Sequence, residues 1–202
     1  YDVMNPYQQV ETMQVVKSFL TKYYDDEKER TLLFGINPGR FGSGVTGISF
    51  TDPVRLKSVL NIEHDFDMRA ELSSQFIFEV IEAYGANPFF QNFFISAVYP
   101  LGFLYRGKNI NYYELEGWKD YMIPLIEKEI EQHLKWPVNR TACVCIGKGA
   151  NWKFLKALND KNGWFDEVKV LPHPRWILQY RRRFKDQYLD EYLQVLHEHR
   201  NS

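Results

Sequence analysis

Gly35-Ile-Asn-Pro-Gly-Arg-Phe-Gly-Ser-Gly-Val-Thr-Gly-Ile-Ser-Phe50 packs five glycines and one proline into sixteen residues. Core packing does not call for such a run, whereas tight turns and close approach of backbone to a ligand do. Within it Asn37 stands where an apolar run ends, with Pro38 to stiffen the chain and Gly39 to turn it. The ordinary role of such an asparagine is an Asx turn. Gly42-Ser-Gly-Val-Thr-Gly47 matches the letters of a dinucleotide-binding fingerprint, which needs a strand ending just before it and a helix beginning inside it. The apolar run ends several residues too early, and the next helix is expected to start at an Asp52 cap with Pro53 in its first turn. Gly147-Lys-Gly-Ala150 lacks the spacing of a phosphate-binding P-loop. Cys143 and Cys145, one residue apart in an apolar run, share one face of a strand and read as small core hydrophobes. Two cysteines and five scattered histidines do not supply the spacings of a metal site, so no metal and no cofactor is expected.

The second chemical feature is charge. Lys169 to Lys185 contains Lys169, Arg175, Arg181, Arg182, Arg183 and Lys185 without one acid, a formal +6. The whole chain has 25 Lys and Arg against 26 Asp and Glu, so its net −1 leaves −7 for everything else. A coating, histone-like protein is excluded by that balance, but a focused contact is not. A basic run is most often a solvated face. This one follows Leu171-Pro-His-Pro174 and interleaves Trp176 and Tyr180, a pattern suited to phosphates and stacked bases.

These pieces need a scaffold. The chain has 202 residues, 45% hydrophobic and 16% aromatic, enough for one core without disulfides, and it reads as one domain over 1–202. Val10, Met13, Val16, Phe19 and Leu20 predict a surface helix over 7–24. Four apolar runs, Thr31–Ile36, Phe93–Val98, Ala142–Ile146 and the weaker Glu167–Leu171, are too short for helices and end at Gly or Pro, as buried parallel strands do. Helical patterns at Ser73–Tyr84, Glu116–His133, Asn151–Leu158 and Lys185–His199 alternate with them. The fold class is therefore α/β, a mostly parallel sheet covered on both faces, with functional loops leaving the carboxyl ends at 37–50, 99–111, 147–151 and 172–183. No run approaches the roughly 20 apolar residues of a membrane helix. The first thirty residues hold acids instead of a leader pattern, although a chain beginning at Tyr1 is compatible with a trimmed start. A soluble intracellular monomer is expected, cytoplasmic in a bacterium and nuclear in a eukaryote.

Asn37-Pro-Gly-x-Phe-Gly followed by Thr46-Gly-x-x-Phe50 resembles the first motif of the single-strand-selective monofunctional uracil-DNA glycosylases, within the uracil-DNA glycosylase superfamily. The resemblance continues through Glu79-Val-Ile-Glu-Ala-Tyr-Gly85, Phe93-Phe-Ile-Ser-Ala-Val-Tyr-Pro-Leu101, the loop 109–115, the Cys143 strand with its Gly147-Lys-Gly149 exit, and His173-Pro174, which matches the second motif. It implies a three-layer α/β/α domain with a central four-stranded sheet. It also implies hydrolysis of the glycosidic bond of uracil or a related damaged base flipped out of DNA, with DNA as partner.

On that resemblance Asn37 positions the attacking water. An amide is too weak a base to drive the attack, so the bond breaks largely by itself through an oxocarbenium-like sugar. His173 donates to the oxygen where the leaving anion gathers charge. Phe50 stacks on the base; Gly39, Phe41 and Ser43 line the pocket; Arg175, Trp176, Arg181, Arg182, Arg183 and Lys148 meet the DNA, with Arg175 or Trp176 as wedge. The resemblance breaks at the asparagine that reads the pyrimidine edge in the family, because Ala97 fills that place with Ser96 beside it. Relaxed specificity, compensation by Ser96 or Asn92, and a nucleic-acid-binding relative without efficient catalysis all follow as expectations. A nucleotide-binding enzyme using the glycine loop for phosphate is a further one.

Overall fold

The computed structural model describes residues 1–200. In chain order the elements are β1 (Asp2–Met4), α1 (Val10–Tyr23), β2 (Thr31–Gly35), α2 (Ser43–Thr46), α3 (Pro53–Ser58), α4 (Leu72–Tyr84), α5 (Ala86–Asn92), β3 (Phe93–Ala97), β4 (Gly102–Tyr105), β5 (Lys108–Ile110), α6 (Trp118–His133), β6 (Ala142–Ile146), α7 (Ala150–Asn162), β7 (Glu167–Leu171), α8 (Pro174–Tyr180) and α9 (Lys185–Glu198). The four expected strands form one sheet in the order β3-β2-β6-β7, and every pair in it is parallel.

Strand side chains alternate between two cores. Leu33, Val144 and Ile146 face α1, α4, α5, α8 and α9 through Phe19, Phe76, Phe90, Ile177 and Tyr192. Leu32, Phe34, Cys143 and Cys145 face α6 and α7 through Met122, Ile126 and Leu155. Both thiols are free and fully buried, and burial pushes the Cys145 thiol up to about 12, so neither is a nucleophile at neutral pH.

Four expectations about local structure are corrected. The first helix is present but rotated: Thr12, Val15 and Phe19 face inward, while Val10 is 75% and Met13 47% exposed. Val15 and Phe19 join the core, and the Thr12 hydroxyl beside them is satisfied by donating to the Val45 carbonyl at 2.9 Å. The segment 99–111 is not a plain loop but the β4–β5 hairpin, which β1 extends into a three-stranded antiparallel sheet. Its two-residue turn has Arg106 at φ 49° and Gly107 at φ 71°, the left-handed pair of a type I′ turn. The segment 172–183 contains α8, started by Pro174 in its first turn. The glycine loop holds the one-turn helix α2. Asp52 does cap α3, accepting from the Arg55 N–H at 2.8 Å.

Candidate active site

The carboxyl ends of β2, β3 and β7 open into one cleft of about 310 Å³, the lower end of the range for small-molecule sites. Asn37, Gly39, Ser43, Phe50, Ser96, Ala97, His173, Arg175 and Trp176 all line it. Phe41, Lys148, Arg181, Arg182 and Arg183 do not. Phe41 carries two guanidinium groups over its ring, Arg40 at 4.4 Å and Arg69 at 5.1 Å from its centre.

Asn37 makes no bond within its own turn. Its Oδ1 accepts from the Tyr112 N–H at 2.9 Å, and its Nδ2 donates to the Ile110 carbonyl at 3.3 Å. Tyr112 is itself fully buried, donating from its hydroxyl to Asn151 at 2.8 Å. The amide is thus held from a segment far along the chain, leaving one lone pair and one N–H unused.

His173 caps α8. Its Nδ1 accepts from the Arg175 N–H at 3.2 Å, which assigns the remaining proton to Nε2. Burial, with the Arg175 charge adding to it, pulls the imidazole down to about 4, so it is neutral at physiological pH. The preceding Pro172 carbonyl is fixed by the buried Tyr192 hydroxyl at 2.5 Å. Phe50 packs beside the imidazole, ring centres 5.9 Å apart and tilted by 46°.

Neither residue expected to replace the missing amide reaches for a ligand. The Ser96 hydroxyl is 2.8 Å from His133 Nε2, whose Nδ1 donates to the Glu129 carbonyl. Asn92 is turned to the Pro88 carbonyl on α5. The basic segment is also less free than its composition suggests, since Lys169 pairs with Glu167, Lys185 with Glu79, and Lys148 with Glu191. The four arginines of that segment form no ion pair among the described residues.

Glu71, Tyr112 and Tyr192 were not expected. Glu71 ends a stretch without periodicity, and nothing in its neighbourhood marks it. It is the one carboxyl lining the cleft, and its oxygens lie where a Cβ on Gly39 or Gly42 would stand. Burial, with Asp52 adding and Arg175 opposing, pushes it up to about 7. The unfolded chain ionises this group near 4.5, so the stability gained by burying a neutral carboxyl is complete below that pH and is lost as pH rises through 7. Glu71→Gln should therefore melt about 2–6 °C above wild type at pH 8 and level with it at pH 5, a difference read by paired thermal melts. Equal shifts at both values would refute the assignment.

The profile of the uracil-DNA glycosylase superfamily matches residues 21–197. The chain belongs to the uracil-DNA glycosylase superfamily. Among solved structures, the crystal structure of wild-type Pedobacter heparinus SMUG2 is similar, with a TM-score of 0.93 and 39% identity over 98% of this chain and 87% of that one. No curated protein matches. Asn37 and His173, at the exits of β2 and β7, line the same cleft within the matched range. Among the described residues no group of three His, Cys, Asp or Glu side chains could hold a metal, and no helix is long and apolar enough to cross a membrane.

Proposed function

We propose that the chain is a DNA glycosylase that hydrolyses the N-glycosidic bond of uracil, or of an oxidised uracil, extruded into the cleft. The observation that carries this reading is the pair of oriented groups across one cleft: the Asn37 amide fixed from Ile110 and Tyr112, and a neutral His173 whose Nδ1 is spent on the cap. The C1′–N bond breaks with both electrons leaving on the base. His173 Nε2–H donates to the base oxygen as its charge grows, and Arg175 adds a fixed positive charge. Water held by Asn37 bonds C1′, and the proton it loses ends on the departed base. Phe50 supplies the apolar wall on which the base stacks.

Ala97 favours a second reading, a nucleic-acid-binding relative whose base pocket no longer supports turnover, because neither Ser96 nor Asn92 offers the lost contact. Incubation with single-stranded and duplex oligonucleotides bearing uracil, hydroxymethyluracil, hypoxanthine or xanthine separates the two. Release of uracil or hydroxymethyluracil is expected. Salt-sensitive binding with no release from any of the four would replace the first reading by the second.

A further inference from the structure

The loops that leave the carboxyl edge of the sheet share a property that the basic segment alone does not reveal. Residues 36–51, 98–113, 147–152 and 172–185 together hold nine Lys and Arg and not one Asp or Glu. The chain nets −1, so the remainder carries −10. The acids on this side come from elsewhere, Glu71 in the cleft and Glu79 and Glu191 paired with Lys185 and Lys148, so the cationic character of the loops extends beyond a single loop.

The free cations fall into two banks. One follows β7: Arg175, Arg181, Arg182 and Arg183. The other follows β3 and centres on the hairpin turn, where Arg106 and Lys108 are exposed and the Arg40 guanidinium donates to the Gly107 carbonyl. Arg40 and Arg69 share the Phe41 ring, so the second bank is continuous from the hairpin to the glycine loop. Among the described residues none of Arg40, Arg69, Arg106 and Lys108 forms an ion pair; the nearest acid in register is Asp2, across from Leu104 on β1. Clustered cations without counter-charges repel one another, and a polyanion relieves that repulsion.

Topology sets the spacing of the two strands from which the banks depart. β3 and β7 are the two edges of the β3-β2-β6-β7 sheet. At about 4.8 Å between strands the edges lie about 14 Å apart. That is about four nucleotides at the 3.4 Å spacing of one DNA strand. The cleft lies between, lined by Asn109, Ile110 and Asn111 on the hairpin side and by Arg175, Trp176 and Tyr180 on the other. Tyr105, 46% exposed beside Arg106, offers a face for stacking at the hairpin.

We propose that the β4–β5 hairpin is a second DNA contact, in which Arg106, Lys108 and Arg40 hold the strand backbone on the side of the extruded nucleotide opposite to α8. This rests on the glycosylase reading for its partner but not on turnover. Held on both sides, a strand is kept from sliding while one nucleotide enters the cleft.

The test uses the full chain and uncleavable single-stranded DNA with a tetrahydrofuran abasic analogue, extended by ten nucleotides on its 5′ side only or on its 3′ side only. Arg106→Ala/Lys108→Ala should bind about tenfold more weakly in one of these two arms, and there its salt slope should shrink by about 1.4. Arg182→Ala/Arg183→Ala should show its deficit in the other arm. Lys28→Ala/Lys135→Ala, at the amino edge of the sheet, controls for net charge. Arg106→Gln/Lys108→Gln repeats the test with polar stems kept, and melts confirm the fold of each variant. Wild-type affinity of the hairpin variant, an equal deficit in both arms, or an equal loss in the control would overturn the proposal. If the glycosylase reading alone fails, no protein releases a base but these binding differences stand.

Discussion

Replacing Asn37 by alanine should lower the single-turnover rate of base release at least about a hundredfold, with little change in affinity for DNA carrying an abasic analogue. The amide has one hydrogen committed to Ile110 and one lone pair committed to Tyr112, so it cannot rotate, and its remaining donor and acceptor point in fixed directions. A water held by fixed partners has already lost the orientational freedom that capture of a short-lived cation would otherwise cost. Asn37→Asp separates positioning from base catalysis. The carboxylate keeps the Tyr112 bond but has no hydrogen for Ile110, and it turns a negative charge toward that carbonyl. It should stay within about tenfold of the alanine variant; wild-type activity would show that a proton acceptor suffices and the fixed amide is unnecessary. The partner test is at His173. His173→Ala removes the observed helix cap and the donor proposed for the leaving base, and should cost about a hundredfold in rate and about 1 kcal/mol in stability. Asparagine is a good cap, so His173→Asn should restore the melting temperature without restoring the rate. Since His173 is already neutral well below pH 6, wild-type release should show no inflection near 6.5 from this residue.

How much of this was legible depended on the kind of signal. The sheet was, because strands buried on both faces are written as short apolar runs, and Asn37-Pro38-Gly39 and Pro172 end two of them abruptly. The hairpin was hidden by Arg106, since the left-handed first position of a type I′ turn is normally signalled by Asn or Asp. The α8 helix was hidden by its own start: His173 is an uncommon cap, although Pro174 in the first turn was a readable sign. The inward face of α1 departs from the stripe of Val10 and Met13 because Val15 and Phe19 pack in the core beside Thr12, which bonds Val45. The motifs single out Asn37 and His173, which line one cleft, but carry no sign of what holds them. Tyr112 and Tyr192 act on the site through a backbone N–H and a buried hydroxyl, and Glu71 arrives from a segment without pattern. Such contacts span 20 to 75 residues of sequence and exist only after the chain has closed.

Gly35→Ala should melt about 3–10 °C below wild type and lose at least about tenfold in base release, although it adds one methyl group to a strand. Gly35 is the last residue of β2, and a Cβ there would stand 2.6 and 2.8 Å from two ring carbons of Phe50 and 3.5 Å from the Ser96 carbonyl. One wall must give. The Phe50 backbone cannot, because it sits at φ 54° and is pinned on both sides by the buried Thr46 hydroxyl, which donates to the Thr51 carbonyl at 2.7 Å and accepts from the Ile48 N–H at 3.2 Å. A left-handed conformation is costly for a residue with a side chain and persists here because its surroundings impose it. The ring is left with displacement toward His173 and into the space a flipped base would fill. Overpacking of this kind costs about 1–3 kcal/mol, and it acts on the stacking wall directly. Phe50→Leu removes the two colliding carbons, so the double variant should recover most of the melting temperature while its release rate stays low, a non-additive pair in stability and a cumulative one in activity. Wild-type melting and rate in Gly35→Ala would mean that Phe50 moves freely and is no fixed wall; recovery of both stability and rate in the double variant would mean that a base needs no aromatic face in this cleft.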